Sequence, residues 1–157
     1  MDMLSFRQPS RTFQVRAAGI ARHGDRVLLH RSETERAWTL PGGRVDWMER
    51  AEETVRREFL EETGYAVGVG PLEYIVERFF TPAEGLRYHE LGLFFRIGFE
   101  TLPPVPAFEG QEGAGELKLY FRWFTQEELA QELVQPDFLR ESLFEEAQGL
   151  RHVVAGS

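Results

Sequence analysis

The sequence predicts an α+β or layered α/β/α fold in a single domain spanning residues 1–157. Three observations carry this expectation. Strand-like and helical segments mix along the chain without strict βαβ alternation. No segment repeats, and too little chain follows the Pro- and Gly-rich stretch after residue 100 to build a second domain. Of the 157 residues, 42% are hydrophobic and thirteen are Phe, which is enough apolar material for a core at this length.

The elements follow in order. Residues 1–12 read as an N-terminal tail. Phe13 to Ala21 and Val27 to Arg31 are apolar and strand-like, and His23-Gly24-Asp25 between them has turn chemistry, so the pair reads as a hairpin. A polar loop, SETERA, leads to Trp38-Thr39-Leu40 and the Pro41-Gly42-Gly43 turn. From about Arg50 to Glu62 the period becomes helical, and Gly64 stands where a helix end favours a left-handed residue. Leu72 to Thr81 and Arg87 to Glu100, separated by Pro82-Ala83-Glu84-Gly85, read as a second hairpin. TLPPVPAFEGQEGAGE, residues 101–116, has no period and is expected to be a mobile loop. Leu117 to Phe124 reads as a strand, Thr125 with Glu128 forms a capping-box pattern opening a short helix, and a last helix is expected from near Pro136 to before Gly149.

Composition narrows the function. The chain has no cysteine, which removes disulfides, thiolate zinc sites and cysteine nucleophiles. A formal charge of −8 argues against docking an extended nucleic acid, which relies on Lys and Arg against phosphates. A small anion could still bind at an Arg cluster or a metal ion. No run approaches the roughly 20 apolar residues of a membrane span, and the N-terminus lacks a long apolar core behind a basic start, so a soluble, cytoplasmic protein is expected.

The chain concentrates like charge between residues 43 and 65, where Asp46, Glu49, Glu52, Glu53, Glu58, Glu61 and Glu62 lie close together. On a helical wheel Ala51, Val55 and Phe59 form one stripe, which should face the core. Glu62 falls within that arc, Glu58 beside Ala51 and Glu61 just past Glu58. Like charges at three- and four-residue spacing destabilise a helix by a few tenths of a kcal/mol even when exposed. Arg57, four residues from both Glu53 and Glu61, can hold one flank but cannot neutralise the group. A hard divalent cation could, since Mg²⁺ takes oxygen ligands. Ordinary surface helix formers, with Asp46 and Glu49 as a capping pair, account for Glu52 and Glu53 but not for Glu58 and Glu62 beside the buried stripe.

This stretch resembles the Nudix hydrolase signature, G-x5-E-x7-R-E-U-x-E-E-x-G-U, through Gly43, Glu49, Arg57, Glu58, Phe59, Glu61, Glu62, Gly64 and Tyr65. Phe59 and Tyr65 are aromatic where aliphatic residues are commoner, Met48 replaces a frequent glycine, and Asp46 stands where many members have Glu. The WTLPGG segment and Phe121-Arg122-Trp123-Phe124 extend the resemblance. It implies a Nudix fold, a mixed sheet between helices, and hydrolysis of a nucleoside diphosphate linked to another moiety, with Mg²⁺ or Mn²⁺ on the loop-helix-loop motif. Glu58, Glu61 and Glu62 would be metal ligands and Glu49 a weaker or second-metal ligand. Arg57 would orient the glutamates, and Gly42 and Gly43 would let the backbone turn tightly near the phosphates.

The base is expected from the helix, from Glu109, Glu112 or Glu116, or from His89; Glu116 is the better placed of the loop acids because it immediately precedes a strand. Arg16 and Arg31 lead the phosphate-binding candidates, ahead of Arg78, Arg87 and Arg96, because the first hairpin commonly helps form the substrate site in this fold. A catalytically silent nucleotide-sensing module is the alternative, though such modules usually lose box glutamates. An isopentenyl diphosphate isomerase of this fold would use a cysteine. A homodimer is compatible with the sequence.

Overall fold

The computed structural model of the chain describes residues 3–113, 117–146 and 148–156. Its centre is β2 (Arg11–His23), a thirteen-residue strand whose alternation sends Val15, Ala17 and Ala21 to one face and Ala18 and Ile20 to the other. Both sets are buried, so β2 must be covered on both sides. On one side lies α1 (Ala51–Thr63), which places Val55 and Phe59, 0% and 1% exposed, against the sheet. A Cβ on Gly19 would press on the Phe59 ring, so glycine there makes room for the helix. On the other side lie the short helices α2 (Gln126–Leu129) and α3 (Leu139–Ser142), delivering Leu129 and Leu139. This is the expected layered arrangement.

The sheet is mixed. Its main order is β7 (Ala107–Glu112), β8 (Leu117–Phe124), β3 (Arg26–Ser32), β2, β6 (Leu86–Phe99), β5 (Val67–Ala83) and β9 (Arg151–Ala155). Two further strands, β1 (Ser5–Gln8) and β4 (Gly42–Arg44), pair with β2 antiparallel. β2 runs parallel to β6 from Arg11 opposite Arg87 to Ala21 opposite Ile97. Its pairing with β3 is confined to Arg22–Val27 and His23–Arg26. Beyond that tight turn the two strands of the first hairpin diverge, and β4 fills part of the space, with Gly19 N–H donating to Pro41 O at 2.9 Å.

Several expectations need correction. The N-terminal tail contains strand β1, because Phe6 finds Phe13 directly across the ladder. Within 101–116, residues Ala107–Glu112 form β7 rather than an irregular loop, because the free edge of β8 offers a full ladder and Phe108 stacks on Phe121 at 4.8 Å. The last helix is only α3; the chain beyond Gly149 instead lays β9 along the open edge of β5. The capping box stands as read, with Thr125 and Glu128 each bonding the other's backbone N–H.

Candidate active site

The divergence of β2 and β3 determines what α1 faces. One edge of the helix lies over the gap, so Glu58 packs against Gly43 of β4 and Glu62 against His30 of β3. A Cβ at Gly43 would collide with the Glu58 carboxyl group, and one at Gly42 with the Ala17 carbonyl. The two glycines are therefore needed for close approach. The expected tight turn is not what they provide, since both are paired strand residues without positive φ. The left-handed residue is Met48, with φ of 67° and its side chain in solvent, at the position where the resemblance expects glycine.

Arg57 organises the acids. Its Nε and Nη2 donate to the two oxygens of Glu49 at 2.8 and 3.0 Å, and its Nη1 donates to Glu58 Oε1 at 2.9 Å. Glu61 and Asp46 lie 3.5 Å away. Among the described residues no ion pair joins it to Glu53, the other partner suggested by spacing. Thr54 Oγ1 also donates to Glu49, at 2.6 Å, and the Arg57 bonds hold the Glu49 carboxyl down at about 2. Glu49 is thus a fully engaged anion, and Asp46 N–H donates to it at 3.1 Å.

Glu58 and Glu62 are in the opposite condition. Burial pushes each up to about 7; for Glu58 the hydrogen bond to Glu62 adds to this, and Arg57 offsets only part of it. Both carboxyls are therefore held well above the ordinary carboxylate range. Glu62 is only 7% exposed, and its Oε1 has no hydrogen-bond partner among the described residues. His30 Nδ1, equally unpartnered, lies 3.4 Å from that oxygen. Burial, with help from Arg16, lowers His30 to about 3, so its ring is neutral. His30 was not a sequence candidate; the available signal was a polar residue at a buried position in the apolar run VLLHRS.

Glu61, just past Glu58 on the wheel, is exposed, on the Arg57 side. No three His, Asp or Glu side chains among the described residues are grouped to hold a metal ion as they stand. The donors nevertheless suit a hard cation. Two carboxylates four residues apart meet at a site where one oxygen is buried without a partner, and Glu61 is on the adjacent turn.

The remaining candidates separate clearly. Arg16 donates to Leu40 O at 2.9 Å and lies close enough to Glu62 for its charge to lower that carboxyl. Arg31 is held between Trp38 and Tyr120, 5.2 and 5.0 Å from the ring centroids, and donates to Glu35 O at 3.1 Å. Arg96 is bound to Glu73, and Arg78 lies on Phe80 near Glu90. Glu109 pairs with Lys118 at the surface. Glu112, at the end of β7, is near enough for its charge to raise both His30 and Glu62. Glu116 lies outside the described residues. His89 stands in a row of aromatic rings and has no contact with the box glutamates among the described residues.

Comparison with known proteins gives a consistent picture. The family model for the NUDIX domain matches residues 12–144. A Bacillus subtilis (strain 168) protein named "Putative 8-oxo-dGTP diphosphatase" is 48% identical over 46 residues, 29% of this chain and 31% of that protein, so the chain spans under a third of this relative's length. A NUDIX hydrolase from Nitrosomonas europaea has the same fold with a TM-score of 0.65 at 19% identity, covering 92% of this chain and 79% of that one. A MutT NUDIX hydrolase from Burkholderia pseudomallei aligns at 0.62 with 24% identity over 85% of this chain and 98% of its own. An ADP-ribose pyrophosphatase from Streptococcus suis aligns at 0.56 with 17% identity over 90% and 98%.

Proposed function

Because the chain belongs to the NUDIX domain family, we propose that it is a Mg²⁺- or Mn²⁺-dependent hydrolase of the phosphoanhydride bond in a nucleoside diphosphate derivative. The observation that carries this reading is the buried pair Glu58 and Glu62, two carboxyls held at about 7 with one oxygen unpartnered, beside a glycine that leaves them room. Such a pair is unfavourable by itself and becomes favourable when a cation joins it.

Glu58 and Glu62, with Glu61 from the adjacent turn, would hold the ion, while Glu49 is committed to Arg57. When bound, the ion would neutralise diphosphate oxygens and stabilise charge developing as water attacks phosphorus. Arg57 positions Glu58 through one N–H and is itself fixed by the fork onto Glu49, an arrangement lysine cannot reproduce. Arg16, at the mouth of the gap, is the guanidinium best placed for a substrate phosphate. Glu112 is the described residue of 101–116 whose charge reaches the site, which favours it as the distal acid. The relatives' printed names, an 8-oxo-dGTP diphosphatase and an ADP-ribose pyrophosphatase, define the first substrates to assay. No described helix is long and apolar enough to cross a membrane.

The test is hydrolysis of 8-oxo-dGTP, ADP-ribose and nucleotide sugars with Mg²⁺ or Mn²⁺, comparing Glu58→Gln and Glu62→Gln with the unaltered protein. Each variant is expected to lose at least about a hundredfold in kcat while keeping its fold. A protein that binds these nucleotides but hydrolyses none would instead be the sensing module.

A further inference from the structure

A sizeable cavity lies away from the box. It has a volume of about 540 Å³, within the range of small-molecule sites, and covers the start of β2 and the end of the β5–β6 hairpin. No box residue lines it.

Strand register arranges its walls in two rows. Phe6 of β1 faces Phe13 of β2, which faces His89 of β6, which faces Phe79 of β5. The rings touch in that order, with centroids 6.3, 5.3 and 4.6 Å apart. Phe6 and Phe79 remain 61% and 43% exposed, so this row is open to solvent. One row further toward the strand starts, Arg11 and Arg87 are directly opposed.

Like charges facing each other across a ladder are unfavourable, and sequences usually relieve them with a carboxylate. This one does not. The chain carries 26 Asp and Glu and a net charge of −8, yet no acidic residue lines the cavity. Among the described residues neither guanidinium forms an ion pair. Among the described residues Arg11 donates only to Gln8 Oε1, at 3.0 and 2.6 Å, which leaves Nη1 available, and Arg87 has no side-chain partner.

We propose that this face is a second binding site, for a small planar aromatic anion such as a nucleoside monophosphate, with its ring on the Phe13–His89–Phe79 row and its anionic group between Arg11 and Arg87. Aromatic side chains accept a base by stacking without hydrogen-bond readout, and paired guanidinium forks suit phosphate or carboxylate oxygens. Ring and anion are both required, because the stacking row is solvent-exposed and the arginines are partly hydrated. The site is built from β1, β2, β5 and β6 and does not depend on a metal ion.

The experiment is a titration of the full chain, isotopically labelled and in EDTA, with AMP, adenosine and inorganic phosphate, followed by amide resonances. AMP should shift Phe79, Arg87 and His89 saturably, and adenosine and phosphate should each bind at least about tenfold more weakly. Arg87→Glu and Phe79→Ser, both at exposed positions, should weaken AMP by a similar factor with no change in Tm. Shifts confined to Gly42 and Gly43, or none at millimolar AMP, would overturn the proposal. So would a dimer in sedimentation that Phe79→Ser dissociates while AMP leaves these resonances unmoved, since the face would then be an interface between copies.

Discussion

Glu73 on β5 and Glu62 on α1 are the same residue type at nearly the same burial, 6% and 7% exposed, and they sit in opposite electrostatic states. Glu73 receives a two-pronged bond from Arg22 at 2.9 and 3.0 Å and a third from Arg96 at 2.9 Å. Burial works to raise its carboxyl, but those bonds overrule it and hold it below the ordinary range. Glu62 has a neutral histidine, another glutamate and an oxygen without a partner among the described residues, and is pushed up to about 7. The first cluster is complete within the chain, whereas the second is the one that the proposed function would complete with a cation. Burial of an acid therefore says little about function until the charges around it have been counted.

Removing one side of the complete cluster should have the largest effect. Glu73→Gln leaves two partly exposed arginines facing a buried amide and is expected to destabilise the fold in urea unfolding, by about 2–3 kcal/mol once solvent screening of the guanidiniums is allowed for, with activity per folded molecule unchanged. The matching Glu62→Gln change in EDTA should be neutral or stabilising at pH 8. If both substitutions destabilise equally, the contrast between the clusters is wrong.

The second test is pH. The folded carboxyls of Glu58 and Glu62 lie above their unfolded values, so the folded state holds protons that the unfolded chain has released between about pH 4.5 and 7. In EDTA, stability should therefore fall as pH rises through that window. It should then stay level above about pH 8. Saturating Mg²⁺ should remove most of the fall, and Glu58→Gln should reduce it without metal, leaving the part that burial imposes on Glu62.

A smaller effect is expected at His30. A donation from Nδ1 to Glu62 Oε1 would satisfy two buried orphans at once and fix the orientation of the glutamate, as outer partners of metal ligands do. His30→Leu should weaken Mn²⁺ affinity by about tenfold in calorimetry, and His30→Asn, which keeps a donor, should recover most of it. The smallest effect is at Met48. Its left-handed backbone favours glycine, so Met48→Gly should raise stability by up to about 1 kcal/mol by thermal unfolding, with kcat unchanged.

How much of this could be read beforehand depended on whether the signal was local. The helix, its buried stripe and its Gly64 end are written in consecutive residues, and so is the Thr125–Glu128 cap. β7 and β9 were missed because neither has a period of its own; each becomes a strand by adding to an edge that a distant segment exposes. In the site, Glu58 and Glu62 were legible from their spacing beside Val55. The fork of Arg57 onto Glu49, eight residues away, was not, because it depends on how the loop before α1 folds back. Nor was His30, whose relation to Glu62 exists only across the β2–β3 divergence.

The parallel pairing of β2 with β6 also bears on how the molecule is made. Gln14 and Glu90, partners in that ladder, are 76 residues apart, so the middle strand waits for chain not yet synthesised. At ribosomal rates of 5–20 residues per second the wait is roughly 4–15 seconds. During it, one edge of a long and mostly apolar strand has no neighbour, which is the condition under which chains pair with the wrong partner. Translation speed between codons 21 and 97 should therefore govern yield more strongly than it does in proteins whose central strand belongs to a local hairpin, and aggregation during synthesis should begin at β2.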